Sequence, residues 1–219
     1  MAISSSNFNQ SGLRDRRNNA GTLTLNFDGA TQDLTSELIS MNVKVTVAVN
    51  RAVKKTAQWL RTHSMRELGK ELGIKQEPLK SRFVVGTNPK RPGEANIWIG
   101  LLAIGAHLTG KASQNQAGTK VAKRQYDGAF HKAVYGSEEK VYIRARRNRV
   151  MQHDVVRENR SRKPRTLSDP KLKGRFPLQV VGIDIEQPAE RIIQRFESRI
   201  NQRYRELLSH ELKYALNIE

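Results

Sequence analysis

Thirteen cationic side chains crowd one stretch of the chain: Lys140, Arg144, Arg146, Arg147, Arg149, Arg157, Arg160, Arg162, Lys163, Arg165, Lys171, Lys173 and Arg175. Only Asp154, Glu158 and Asp169 oppose them, so this stretch carries +10 of a formal net charge of +18. Guanidinium and ammonium groups at that density neutralise the phosphates or carboxylates of a polyanion. The stretch is too poor in large apolar residues to fold around a core of its own. In the basic loop at 147–176 the aromatic content ends with Phe176, which excludes base stacking and leaves sequence-independent phosphate contact as the mode of any DNA binding. A second basic group, Lys111, Lys120, Lys123 and Arg124, lies in a Gly-, Gln- and Ser-rich run. From Glu186 to Glu219, by contrast, six basic residues balance six acidic ones. The positive charge is therefore placed, not spread.

Other chemistries find little support. His63, His107, His131, His153 and His210 have no metal-ligand spacing, and the chain contains no cysteine to supply a thiolate or a disulfide. His153 and Asp154 are sequence neighbours whose side chains diverge, and no nucleophile elbow, P-loop or dinucleotide fingerprint accompanies them. Asp127, Glu138, Glu139, Asp154 and Glu158 are the acids a nuclease would need for metal, and their spacing is unremarkable. The expectation is a protein that is not an enzyme and carries no cofactor or metal. Residues 66–82 offer a different reading. Leu68, Leu72, Gly73, Ile74 and Leu79 fall where a helix-turn-helix places apolar positions and its turn glycine, with Lys75, Gln76, Lys80 and Arg82 on a second helix. Gly69 at the crossing and Pro78 near the start of that helix count against a DNA-reading role. An ordinary helical corner explains the same pattern.

The elements that must position these residues follow from periodicity. Residues 1–20 read as a polar arm, and Leu23, Leu25 and Phe27 alternate as a half-buried strand closed by Asp28-Gly29. Val43, Val45, Val47 and Val49 alternate like a strand, but Leu34, Leu38, Met41, Val45, Val49, Val53, Trp59 and Leu60 keep helical spacing over a longer window. The longer pattern predicts helix from about 31 to about 67, broken near Ser40–Asn42. Two short helices around Gly73 and two strands, at 83–85 and 95–99, follow. Residues 109–126 read as a long hairpin or loop. A strand spans 140–146, the basic loop 147–176, and another strand 178–185 with a bulge at Val181-Gly182. Pro188 opens a final amphipathic helix. The whole is an α+β chain: a long N-terminal helix and helical corner, an antiparallel sheet and a long C-terminal helix, forming a single domain over 21–219. Apolar and aromatic fractions of 37% and 6% are low for an autonomous enzyme of 219 residues and suit a subunit that completes its core in an assembly. No apolar run is long enough to span a membrane, and the N-terminus lacks a secretory pattern, so synthesis in a reducing cytoplasm is expected.

The order of short motifs resembles a known family. Asn50-Arg51-Ala52-Val53-Lys54-Lys55-Thr56-Ala57 leads into Arg66-Glu67-Leu68-Gly69-Lys70-Glu71-Leu72-Gly73-Ile74; then come Asp127-Gly128-Ala129-Phe130, Phe176-Pro177-Leu178-Gln179-Val180-Val181-Gly182-Ile183 and Leu208-Ser209-His210-Glu211-Leu212. Over roughly residues 30–217 this is similar to the minor tail protein Z family of tailed bacteriophages, also called tail completion proteins. The resemblance implies a structural virion protein at the head-proximal end of the tail, beside the terminator, the tail tube and the head-tail connector, that holds phage DNA in the lumen independently of sequence. Low apolar content fits a homo-oligomeric ring, sixfold to match a tail tube. The basic residues named above would then face DNA or an acidic neighbour.

Overall fold

The computed structural model describes residues 20–24, 29–41, 43–87, 91–135, 137–156 and 177–216. In chain order the elements are β1 (Ala20–Thr24), α1 (Gly29–Met41), α2 (Val43–Leu72), α3 (Glu77–Lys80), β2 (Phe83–Thr87), β3 (Ala95–Gly100), β4 (Ile104–Gly105), a 3-10 turn (Ala106–Leu108), β5 (Ala112–Gln114), β6 (Gly118–Val121), β7 (Arg124–Asp127), β8 (Phe130–Lys132), β9 (Lys140–Arg144), α4 (Ala145–Met151), β10 (Leu178–Val180), β11 (Gly182–Ile183) and α5 (Glu186–Leu216). The fold is α+β, with long N- and C-terminal helices. Its strands form several small antiparallel sheets, in the orders β1-β3-β2, β10-β9-β8, β11-β4 and β5-β6-β7, where the pattern suggested one. The chain divides into two compact units. One gathers α1, most of α2, residues 79–101 and residues from 187 onward; the other holds 72–78 and 102–186.

The first unit is a pair of long helices with a three-stranded sheet. On α2, Val45, Val49, Ala52, Val53, Ala57, Leu60 and Leu68 are buried, while Val43 and Val47 are 79% and 43% exposed. The alternating valines therefore belong to a helix, because Val45 and Val49 are one turn apart and share its buried face. α5 runs back along α2: Arg191 and Arg195 meet Glu71, Trp59 packs edge-on against Phe196 with ring centroids 5.5 Å apart, and Lys55 pairs with Glu211. Hydrogen bonds from Arg191, then Arg195, hold the Glu71 carboxyl below the usual carboxylate range. Ile192, Ile193, Phe196, Ile200, Tyr204 and Leu208 form the buried stripe of α5, each large side chain contributing about 1.5–3 kcal/mol. The buried Tyr204 hydroxyl lies 3.0 Å from the Thr35 hydroxyl, and burial raises the Tyr204 pKa, so the phenol stays neutral.

The β2–β3 turn docks on these helices at Gly93. Its φ of +81° favours glycine, its amide donates to Asn50 Oδ1 at 2.8 Å, and a Cβ there would lie 3.1 Å from Thr35 and Ile39. β2 and β3, the two strands expected from sequence, pair antiparallel with Phe83 opposite Ile99 and Val85 opposite Ile97. The arm expected over 1–20 lies outside the described residues except for Ala20, where β1 begins.

The second unit is built on β9. Its middle residues, Val141, Tyr142 and Ile143, are buried, and they alternate between two clusters. Val141 and Ile143 pack with Val121, Tyr126 and Val181, whereas Tyr142 packs with Val134 and Val180. Both faces of this strand are therefore covered. At Val181 the chain leaves β9 for β4: Val181 N donates to Val141 O at 2.9 Å, and Ala106 N donates to Val181 O at 2.9 Å. This switch is the irregularity anticipated at Val181-Gly182. Residues 109–126, read from sequence as a hairpin or loop, instead carry the β5-β6-β7 meander. Residues 145 and 146, expected at the end of the strand, and 147–151, expected within the basic loop, form a helix.

Glu211 is 4% exposed, and its buried carboxylate depends on Lys55, whose side chain is half in water; His210 is a second, exposed neighbour at 3.9 Å. Lys55→Met is expected to lower stability in urea unfolding by about 1–2 kcal/mol, and the double change with Glu211→Leu should recover most of that loss. A double variant no more stable than Lys55→Met alone would disprove this dependence.

Candidate polyanion interface

β9 delivers the chain from the core to its most cationic described segment. Arg144 is the exposed last residue of β9, and α4 follows without a linker, beginning where Ala145 N donates to Pro177 O at 3.0 Å. Arg146, Arg147 and Arg149 on α4 are exposed, and α4 contains no buried residue. Among the described residues, none of Arg144, Arg146, Arg147 and Arg149 takes part in an ion pair.

A helix with nothing buried has to be fastened at its end. Asn148 does this. Its Nδ2 donates to His153 O and to Gln179 Oε1, each at 3.1 Å, and its Oδ1 accepts from His153 N at 2.9 Å. Gln152 closes the helix in the left-handed region, φ +55°, with its amide on Asn148 O at 2.8 Å. Met151 packs against the cluster that contains Val141 and Ile143. His153 lies 3.0 Å from Asp127 O and packs edge-on against Tyr126.

Arg144 and Arg147 open into a recess of about 340 Å³, lined also by Gln116, Gly118, Gly128 and Phe130, with no Asp or Glu among its lining residues. Gly128 has a φ of +71°, and a Cβ there would come within 2.5 Å of Arg147 Nε. The missing side chain is what lets the Arg147 stalk lie across this turn. Gln114 supports the recess from within: its Oε1 accepts from Thr119 Oγ1 at 2.8 Å and from His131 N at 3.0 Å. None of the glycines and glutamines here was singled out from sequence as part of a site. The available signals were the turn dipeptide Asp127-Gly128 and the Gly- and Gln-rich run itself.

The other expected contacts divide. Lys140 is paired with Glu138 at 3.1 Å. Arg124 donates to the Leu72 carbonyl at 2.9 Å and so has a backbone-holding role. Lys111, Lys120 and Lys123 are exposed; Lys123 sits in the β6–β7 turn, beyond the end of β6 opposite Gly118. Arg157, Arg160, Arg162, Lys163, Arg165, Lys171, Lys173 and Arg175 lie outside the described residues.

The helix-turn-helix reading meets a geometric obstacle. α2 continues to Leu72, Gly73 turns with a φ of +64°, and α3 is only Glu77–Lys80, with Leu79 buried. Four residues of helix span about 6 Å, half the width of a major groove. Lys75 and Gln76 precede that turn of helix. Three of the five acids a nuclease would need are engaged elsewhere, Glu138 with Lys140, Glu139 with His131 at 3.6 Å, and Asp154 with the Asp184 amide at 3.2 Å, and Glu158 lies outside the described residues. Among the described residues no three His, Asp or Glu side chains group to hold a metal ion, and no helix is long and apolar enough to cross a membrane.

A family model described as prophage minor tail protein Z matches residues 28–219. No curated protein and no solved structure matches the chain.

His107 lies against Gly105, 3.8 Å from Glu138. Burial lowers its pKa; Glu138 partly offsets this, and Lys140 and His131 reinforce it. The unfolded chain thus takes up this proton more readily than the folded one, and stability is lost as pH falls through about 6.5. Thermal unfolding of wild type should therefore drop more between about pH 7.5 and 5 than that of His107→Gln. Parallel pH profiles for the two proteins would refute the assignment.

Proposed function

Since the chain belongs to the prophage minor tail protein Z family, a structural family of phage tails, we propose that it completes the head-proximal end of the tail. In this reading several copies close into a ring, sixfold with the tube, and contact the terminator and the head-tail connector. Their unpaired cations face a polyanion, either DNA in the lumen or the acidic face of a neighbouring protein. The observation that carries the reading is the family match across 192 residues, from 28 to 219, which takes in both compact units. The arginines at 144–149 support its electrostatic part, because unpaired guanidinium groups add mutual repulsion unless an anionic partner relieves it. The regulator reading is not favoured, since α3 is too short to read a groove.

Electron microscopy of phage particles bearing an epitope on this chain should place label at one end of the tail, beside the head. Label distributed along the tube, or none on purified particles, would overturn the reading. Binding of the purified chain to DNA should be uniform across sequences and weaken steeply with salt. Enrichment of one motif from a random pool would instead support a regulator.

A further inference from the structure

We propose that the Arg144–Arg147 recess is a carboxylate receptor, which takes a glutamate- or aspartate-rich segment of a neighbouring protein. The proposal deepens the reading above and rests on it only for the presence of that neighbour. Three features of the recess point this way. First, its two guanidinium groups have no acidic partner among the described residues, so the site holds uncompensated positive charge. Second, Arg147 is laid across Gly128, whose missing Cβ makes room for it, so less conformational freedom is lost on binding. Third, the remaining lining is uncharged, so no other side chain of the recess competes for an entering carboxylate.

Shape separates carboxylate from backbone phosphate. A phosphodiester carries a bulky ester arm on each side and meets a protein best across an open surface. A carboxylate at the tip of a short side chain can enter a recess and meet a guanidinium fork edge-on, through two parallel N–H···O bonds. Arg146 and Arg149 do not line the recess. They are therefore internal controls of equal charge.

The test uses the full-length chain and a fluorescein-labelled decapeptide of alternating Glu and Gly, read by anisotropy at about 0.15 M salt. Arg144→Gln and Arg147→Gln should each weaken peptide binding by about tenfold or more, and Arg146→Gln and Arg149→Gln by less than about threefold. Arg147→Lys retains the charge but loses the fork, and Gly128→Ala retains the charge but displaces the stalk; both should weaken binding with thermal unfolding of the chain still cooperative. Equal losses for all four Gln variants would overturn the proposal, because they would mean diffuse attraction. So would absence of saturable peptide binding, or recess-specific losses seen only with a DNA duplex of about 20 base pairs. Failure here leaves the location in the tail intact, and a chain absent from tails would leave peptide affinity unchanged.

Discussion

A guanidinium group must stay in water or meet an anion, and the second unit is shaped by that requirement. β9 has both faces covered, with Val141 and Ile143 in one cluster and Tyr142 in the other. Had the strand continued, alternate members of the run Arg146, Arg147, Asn148 and Arg149 would have entered those clusters. Burying an unpaired cation costs several kcal/mol, more than the few ladder hydrogen bonds could return. The chain instead coils at Ala145 into a short helix that buries no residue. So short a helix is not stable by itself. It persists because Asn148 ties its end to His153 and Gln179, and because Met151 reaches the core. The exposure of the arginines and the existence of α4 have the same cause.

The first unit meets the same requirement by pairing. α5 carries nearly balanced charge, and its arginines at 191 and 195 find Glu71, while Lys55 reaches the buried Glu211. These pairs form across the helices, beside a stripe of apolar side chains that supplies the larger share of stability. The surface pairs contribute little each, on the order of 0–1 kcal/mol, and chiefly fix the register of one helix on the other. The two units thus use arginine differently. In one, Arg191 and Arg195 are partnered within the chain, and in the segment 144–149 of the other, arginine has no ion-pair partner among the described residues.

Much of the architecture was legible in the sequence. The long helical windows, the strands at 83–87 and 95–100, the strand beginning at Lys140 and the break at Val181 all follow from apolar period and turn residues. The valine alternation at 43–49 was resolved correctly because strands seldom run as long as the helical pattern did. The meander at 112–127 was not legible, since its strands are short and their apolar members, Val121 and Tyr126, are too few to show a period. α4 was hidden for a related reason. A helix that buries nothing leaves no amphipathic trace, and the side chains that secure it, Asn148 and Gln179, meet only once the strands are paired.

The candidate site separates what a charge count can reveal from what it cannot. Counting identified 140–175 as the cationic segment and gave Lys140, Arg124, Arg146 and Arg147 equal weight. In three dimensions their roles differ. Lys140 is balanced by Glu138, Arg124 holds the Leu72 carbonyl, Arg146 faces water, and Arg147 is laid over a glycine into a recess. The group that makes the last role possible is Gly128, uncharged and distant in sequence, whose lack of a side chain leaves room for the Arg147 stalk. Net charge sets how strongly an anion is drawn to the surface from a distance. Which anion stays is decided within a few ångströms, by whether its charged atoms can reach the guanidinium fork, and that depends on residues no tally of charge would include.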